Sequence, residues 1–243
     1  TLAGTVGATS ALGNLTVTAN DISVAAIGGV AAGAAATSLT AATANADTGT
    51  ITLGGQVRAT GLTLVSGDAV SQTGALIVSG TTSITAGAAN DITLNNTSNN
   101  FGTLAVVSGR NVSVTDTNAL VLGASTVSGT LNVNTAGAIT QNTGAVVVTG
   151  LTTLAAGAAN NITLGTATNN FSTVAVTSGN NVVLRDANAL ELGASTISGT
   201  LGVTTAGAIT QSGALTVAGT TAVTAGAANN VTLDNAGNDF TGA

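Results

Sequence analysis

The sequence predicts an all-β fold, a parallel β-helix, on three observations. Apolar residues alternate with hydroxylic ones at a period of two, as in strands with one face buried. Gly, Asn, Asp, Ser and Thr break these runs at short intervals, and whole phrases return at a fixed step.

The step comes first. AGAANDITL begins at position 86, AGAANNITL at 156 and AGAANNVTL at 225, so the phrase returns after a nearly constant interval. Phe101, Phe171 and Phe240 keep the same step, as do Gln72, Gln141 and Gln211. These superrepeats run roughly over 33–102, 103–171 and 172–240 of a single array covering 1–243. The phrases TAGAITQNTGAVVVTG (135–150) and TAGAITQSGALTVAG (205–219) differ by a single letter in length, which marks a turn that tolerates insertion.

Inside each superrepeat, three segments align on one another, each with three short strand-like runs. The expectation is about 10 coils of about 23 residues with three short strands per coil. The second strand of each coil supplies a column of β-branched aliphatics: Ile22, Ile51, Val70, Ile92, Val112, Ile139, Ile162, Val182, Ile209 and Val231. Such side chains fit a pleated, packed surface. The next position reads Ser23, Thr52, Ser71, Thr93, Ser113, Thr140, Thr163, Val183, Thr210 and Thr232. Successive strand residues point to opposite faces, so the first column is expected inside and the second outside as a hydroxyl ladder. Phe101, Phe171 and Phe240 replace the Leu or Val of the third strand and are read as core plugs. The three Gln stand where Leu or Val otherwise ends strand two, and are expected to hydrogen-bond corner backbone inside the coil.

A helical alternative fails because 33 Gly residues punctuate the chain and the apolar period is two. The most apolar stretch, residues 24–36, is Ala- and Gly-rich and shorter than the roughly 20 residues a membrane-spanning helix needs. No charged, then apolar, leader precedes the pattern. The chain starts in mid-pattern without Met, so it is expected to be an excerpt of a longer repeat protein.

Composition removes most chemistry. His, Cys and Lys are absent, and Arg58, Arg110 and Arg185 are the whole cationic complement against nine acids, a net charge of −6. That balance excludes a nucleic-acid footprint. Nucleophilic catalysis lacks a base, and zinc lacks its usual ligands. The G-G-x-G-x-D repeat of calcium-binding rolls does not occur. Asp116 and Asp186 occupy equivalent positions three coils apart, too far for a glycosidase pair. Asp186 and Glu191 share a coil but are read with Arg185 as surface charges; Arg110 and Arg185 are expected to pair with Asp116 and Asp186 on the solvent face. Asp21, Asp68, Asp91 and Asp234 stand at strand ends, where Asp serves turns. The sequons at Asn14, Asn95, Asn96, Asn111, Asn161 and Asn230 are expected by chance in so Asn- and Thr-rich a chain. No catalytic, cofactor or metal site is assigned.

The Gly-, Asn-, Thr- and Ala-rich coils, with phrases such as GNLTVTANDISV, AGAITQ and AANNITL, resemble the filamentous-haemagglutinin-like exoproteins over essentially all 243 residues. These are giant, right-handed β-helical surface proteins of Gram-negative bacteria, often exported by two-partner secretion; that family's N-terminal secretion domain is not recognisable here. The resemblance implies a right-handed solenoid at the extracellular cell surface, in an adhesin shaft or filament. Its partners would be other copies end to end, flanking repeats of the same chain, or a host or neighbouring-cell surface. Two alternatives carry different chemistry: an ice- or surface-binding helix using the Ser/Thr ladder, and a carbohydrate-active enzyme, which the acid spacing disfavours.

Overall fold

In a computed structural model of the chain, residues 2–6, 15–27, 38–43 and 49–242 are described, and none of them is helical. They form short parallel strands that pair with strands one turn away in the chain. The chain divides into two compact units, Thr1–Thr117 and Asn118–Ala243.

In the first unit, Ile22, Ile51, Val70, Ile92 and Val112 are successive register partners. All five are buried. The turns they define differ in length. Asp21 and Thr50, on neighbouring rungs, are 29 positions apart in sequence, whereas Thr52 and Ser71 are 19 apart. The extra length lies in the corners. A second column joins Leu62, Thr82 and Leu104, and a third joins Ala59, Val78 and Phe101. Side chains of each column meet their equivalents one rung away, so β-branched and Leu side chains fill most of the interior, with Phe101 as the large aromatic group of the third column.

In the second unit, Ile139, Ile162 and Val182 are again consecutive rungs, and all are buried. The rung above Val182 is Leu201, and above that Thr221; the rung below Ile139 is Leu120. Ile209 lies elsewhere: it stacks on Leu190 and bridges to Val231. The expected single column is therefore corrected. Three turns from Ile139 end at Leu201, short of Ile209, the position one superrepeat on. Most turns here are shorter than the expected coil: rung neighbours Asn161 and Asn181 are 20 positions apart, and Asn181 and Thr200 are 19 apart. One superrepeat thus makes three turns and then one more face. Equivalent residues of consecutive superrepeats in this unit sit on different faces of the solenoid.

The long strands Val146–Ala155 and Asn170–Ser178 pair with each other. On its other side Val146–Ala155 pairs with two separate strands, Ser125–Val127 and Leu131–Thr135, and its pairing with Asn170–Ser178 shifts register between Val148 and Leu151. Over Asn170–Ser178 lie two separate strands, with Thr173 and Val174 paired to Glu191 and Leu192, and Gly179 bridged to Ile197.

Val231 departs from the expected interior, being 42% exposed, and Phe240 is half-buried where Phe101 and Phe171 are buried. Among the described residues no strand pairs with that coil on its far side, so its inward side chains have neighbours on one side alone.

Candidate functional site

The Gln and Asn residues that recur at 72/99, 141/169 and 211/238 face inward. Gln141 ends the strand Ile139–Gln141, and its Nε2 donates to Gly144 O at 2.7 Å across the corner. It donates also to Asn169 Oδ1, at 2.5 Å, in the next turn. Asn169, fully buried, closes the pair by donating from Nδ2 to Gln141 Oε1 at 2.9 Å. Its Oδ1 also accepts the Val146 N–H at 2.9 Å, and its Nδ2 donates to Leu164 O at 3.3 Å. Both ends of the Asn169 amide are satisfied, as a buried amide requires.

The same pair forms twice more. Gln72 donates to Gly74 O at 2.6 Å and to Asn99, which accepts the Leu76 N–H at 2.9 Å. Gln211 donates to Gly213 O at 2.7 Å and to Asn238, which accepts the Leu215 N–H at 2.9 Å. The corner role expected of the three Gln residues is what the geometry holds; their Asn partners lie beyond that expectation. A signal for them is present, since Asn99, Asn169 and Asn238 each stand two positions before a repeating Phe. The extra residue after Gln141 is absorbed by Asn142, whose Oδ1 accepts the Gly144 N–H at 2.9 Å.

Asp116 and Asp186 are buried, and the expected surface pairs with Arg110 and Arg185 are corrected. In the strands Val112–Asp116 and Val182–Asp186 the Asp residues share the inward parity of Val112 and Val182, whereas Arg185 has the outward parity. Asp116 Oδ2 accepts the Phe101 N–H at 2.7 Å, and Asp186 Oδ2 accepts the Phe171 N–H at 2.6 Å. Asp186 Oδ1 accepts the Asn188 N–H at 2.9 Å. Burial pushes the Asp186 carboxyl above its ordinary value, while the two N–H donors pull it partly back. Arg110 instead grips Asp91 one turn away, with Nε–Oδ1 at 2.8 Å and Nη2–Oδ2 at 3.0 Å. The Arg110 guanidinium holds the Asp91 carboxyl below its ordinary value. Glu191 accepts from Thr173 Oγ1 at 3.3 Å.

Outside, an Asp or Asn before four of the inward aliphatics caps the next rung. Asp21 Oδ1 accepts the Thr50 N–H at 3.1 Å, and Asp91 Oδ1 accepts the Asn111 N–H at 3.2 Å. Asn161 accepts the Asn181 N–H at 3.2 Å, and Asn181 accepts the Thr200 N–H at 3.0 Å. The following outward position forms the hydroxyl column. Ser23, Thr93, Thr163, Thr210 and Thr232 are exposed, whereas Thr52, Ser71, Ser113 and Thr140 are half-buried. The column is continuous from Ser23 through Thr52, Ser71 and Thr93 to Ser113 in the first unit. In the second it runs from Thr140 to Thr163 and then meets Val183.

A shallow groove of about 500 Å³ lies over the corner of residues 65–68 and 85–90. Asp68 is the one acid among its lining residues, and Asn90 crosses it to donate to Gly67 O at 3.1 Å and Ala86 O at 2.7 Å. A lone carboxylate already accepting the Ala69 N–H offers no acid–base pair. Among the described residues no group of three or more His, Cys, Asp or Glu is placed to hold a metal ion, and no helix is long and apolar enough to cross a membrane.

Stacked parallel coils with internally satisfied amides define a repeat protein of the β-solenoid class. The chain belongs to the family described as "Repeats of unknown function (DUF5649)", which matches residues 40–108, 109–178 and 179–243. No curated protein and no solved structure matches the chain.

Proposed function

We propose that the chain is a non-catalytic structural segment of an extracellular adhesin shaft or cell-surface filament, of the filamentous-haemagglutinin-like kind, on a Gram-negative bacterium. One observation carries the reading. The recurring amide pair of Gln141 with Asn169, and its two equivalents, are turned inward onto backbone. These recurring amides are spent on holding coil to coil and are not presented to a ligand. Here repetition serves stacking, which suits a spacer that sets reach.

The test is placement and form on the source cells. Antibodies to the segment should label intact cells and decorate filaments in electron micrographs. Labelling that requires permeabilised cells would overturn the extracellular assignment, and cleavage of a polysaccharide by the purified chain would overturn the non-catalytic one.

A second reading has one observation in its favour. The five-rung hydroxyl column from Ser23 to Ser113 is in register, with Thr52 Oγ1 and Ser71 Oγ 3.4 Å apart. Ordered hydroxyls at rung spacing would suit an ice or mineral surface. A thermal-hysteresis measurement decides between the two readings.

A further inference from the structure

We infer that the inward Gln–Asn pairs, whose Gln residues are half-buried and whose Asn99 and Asn169 are fully buried, are register locks, one per superrepeat, that decide which coil stacks on which. The aliphatic interior alone does not decide it. Ile139, Ile162, Val182 and Leu201 are consecutive rungs of one column, and each is a branched aliphatic that can rest on any other. The outward neighbours Thr140 and Thr163 are equally interchangeable. A slip by one rung, seating Val182 on Ile139 and extruding the coil between them, would keep an apolar interior.

The amide pair forbids that slip. Gln141 lies at the end of its strand with Nε2 and Oε1 both directed to Asn169, one turn on. Extruding the coil that carries Asn169 would seat Gln141 on Leu184, two residues before the acceptor Asp186, and leave Gln141 Oε1 without the Asn169 Nδ2 that donates to it. It would also leave the Val146 N–H, which Asn169 accepts, without its partner. An orphaned buried amide costs far more than a satisfied one contributes, so the penalty falls on the slipped state and hardly on the native one. The lock recurs once in each superrepeat, at 72/99, 141/169 and 211/238. Slips of one or two coils are therefore penalised, while a shift by a whole superrepeat pairs each Gln with an equivalent Asn. The inferred unit of expansion or loss in this chain is the superrepeat, not the coil.

Cysteine pairs read the register directly in the full-length chain. Thr140 and Thr163 are adjacent outward rungs, within the roughly 4.4–6.8 Å Cα separation that a disulfide spans. Val183 is the rung above Thr163, so Thr140 and Val183 are about 10 Å apart and cannot be joined in the native register. After unfolding in urea and refolding under oxidising conditions, Thr140→Cys/Val183→Cys should stay reduced. Adding Gln141→Leu and Asn169→Leu should raise its cross-linked fraction about tenfold, because the orphaned-amide penalty on the slipped state is gone. No increase would overturn the inference, since the aliphatic column would then suffice.

Should the Leu pair fail to refold, deletions give a second reading. Removing residues 139–208 joins Ala138 to Ile209 and excises one superrepeat in phase; this chain should refold to a single species. Removing residues 139–161 joins Ala138 to Ile162 and strands Asn169 without Gln141; this chain should refold to a mixture, and Asn169→Leu should restore a single species. Clean refolding of the 139–161 deletion without that substitution, or no rescue with it, would overturn the lock.

Discussion

Asp186 is 4% exposed and its carboxylate sits 2.6 Å from the backbone N–H of Phe171, one turn earlier in the solenoid. A carboxylate in this place ties the Phe rung to the next coil, yet its charge is held away from water.

A pH dependence follows, with a definite sign. Burial raises the folded-state value of Asp186 above its ordinary 3.8, so the folded chain holds the proton to higher pH than the unfolded chain. Its contribution to stability is greatest below pH 3.8 and declines as pH rises through the raised folded value. Asp91 acts oppositely, because Arg110 lowers its value and its contribution is lost as pH falls through that lowered value. Urea melts of the wild type and Asp186→Asn across this range should differ by a slope, the wild type losing stability relative to the variant as pH rises. Parallel curves would mean that Asp186 does not titrate differently on folding.

Ile162 and Thr163 are adjacent in sequence and opposite in environment, the first fully buried between Ile139 and Val182, the second exposed. Ile162→Asp places a carboxylate in an aliphatic column and should cost several kcal/mol, roughly 3 or more. Thr163→Asp should change stability by less than about 0.5 kcal/mol. Denaturant melts of the two variants check the register, and equal losses would contradict it.

These contrasts also show how much of the fold is legible in the sequence. Strand parity is legible because hydrophobic alternation is a local signal: Ile162 and Thr163 carry their burial in their own chemistry. The turn length is less so. The repeated AGAAN phrase marks where sequence recurs, and the natural reading makes the superrepeat a whole number of turns. Strand spacing and corner size set the turn instead. With rung neighbours such as Asn181 and Thr200 only 19 positions apart, one superrepeat overshoots three turns by a face. Nothing in Ile209 itself says that it stacks on Leu190 and not on Val182. The inward Asp residues escape the sequence reading for a related reason. Arg185 and Asp186 are opposite charges in sequence contact, but strand geometry sends neighbours to opposite faces, and parity outranks proximity.

Thr152 is a defect that the column tolerates. It is fully buried between Leu131 and Val174, and its hydroxyl has no hydrogen-bond partner. Thr82, its equivalent one superrepeat earlier, is in the same condition between Leu62 and Leu104. Val has the same shape without the hydroxyl, so Thr152→Val and Thr82→Val should each raise stability by about 1 kcal/mol. Thermal or urea denaturation gives the comparison directly. A loss on either substitution would show that the hydroxyl is bonded in solution.

Two glycines in the second unit separate close rung contact from mere turn composition. A Cβ built on Gly150 would lie 2.6 Å from the carbonyl oxygen of Gly129 in the coil below, closer than side chains approach backbone. The Gly150 N–H donates to that same oxygen at 3.0 Å, so the two coils cannot separate there without losing the bond. At Gly165 the nearest atom to such a Cβ is the Thr163 Cγ2 at 3.9 Å, an ordinary contact. Gly150→Ala should therefore cost about 1–3 kcal/mol through overpacking against backbone that cannot yield. Gly165→Ala should cost nothing and should add a few tenths of a kcal/mol, roughly 0.4, by restricting the unfolded chain. Urea midpoints of the two variants make the check. Equal behaviour would mean that the coils at Gly129 and Gly150 breathe apart enough to admit a methyl group, and that close approach is not what fixes glycine at this corner.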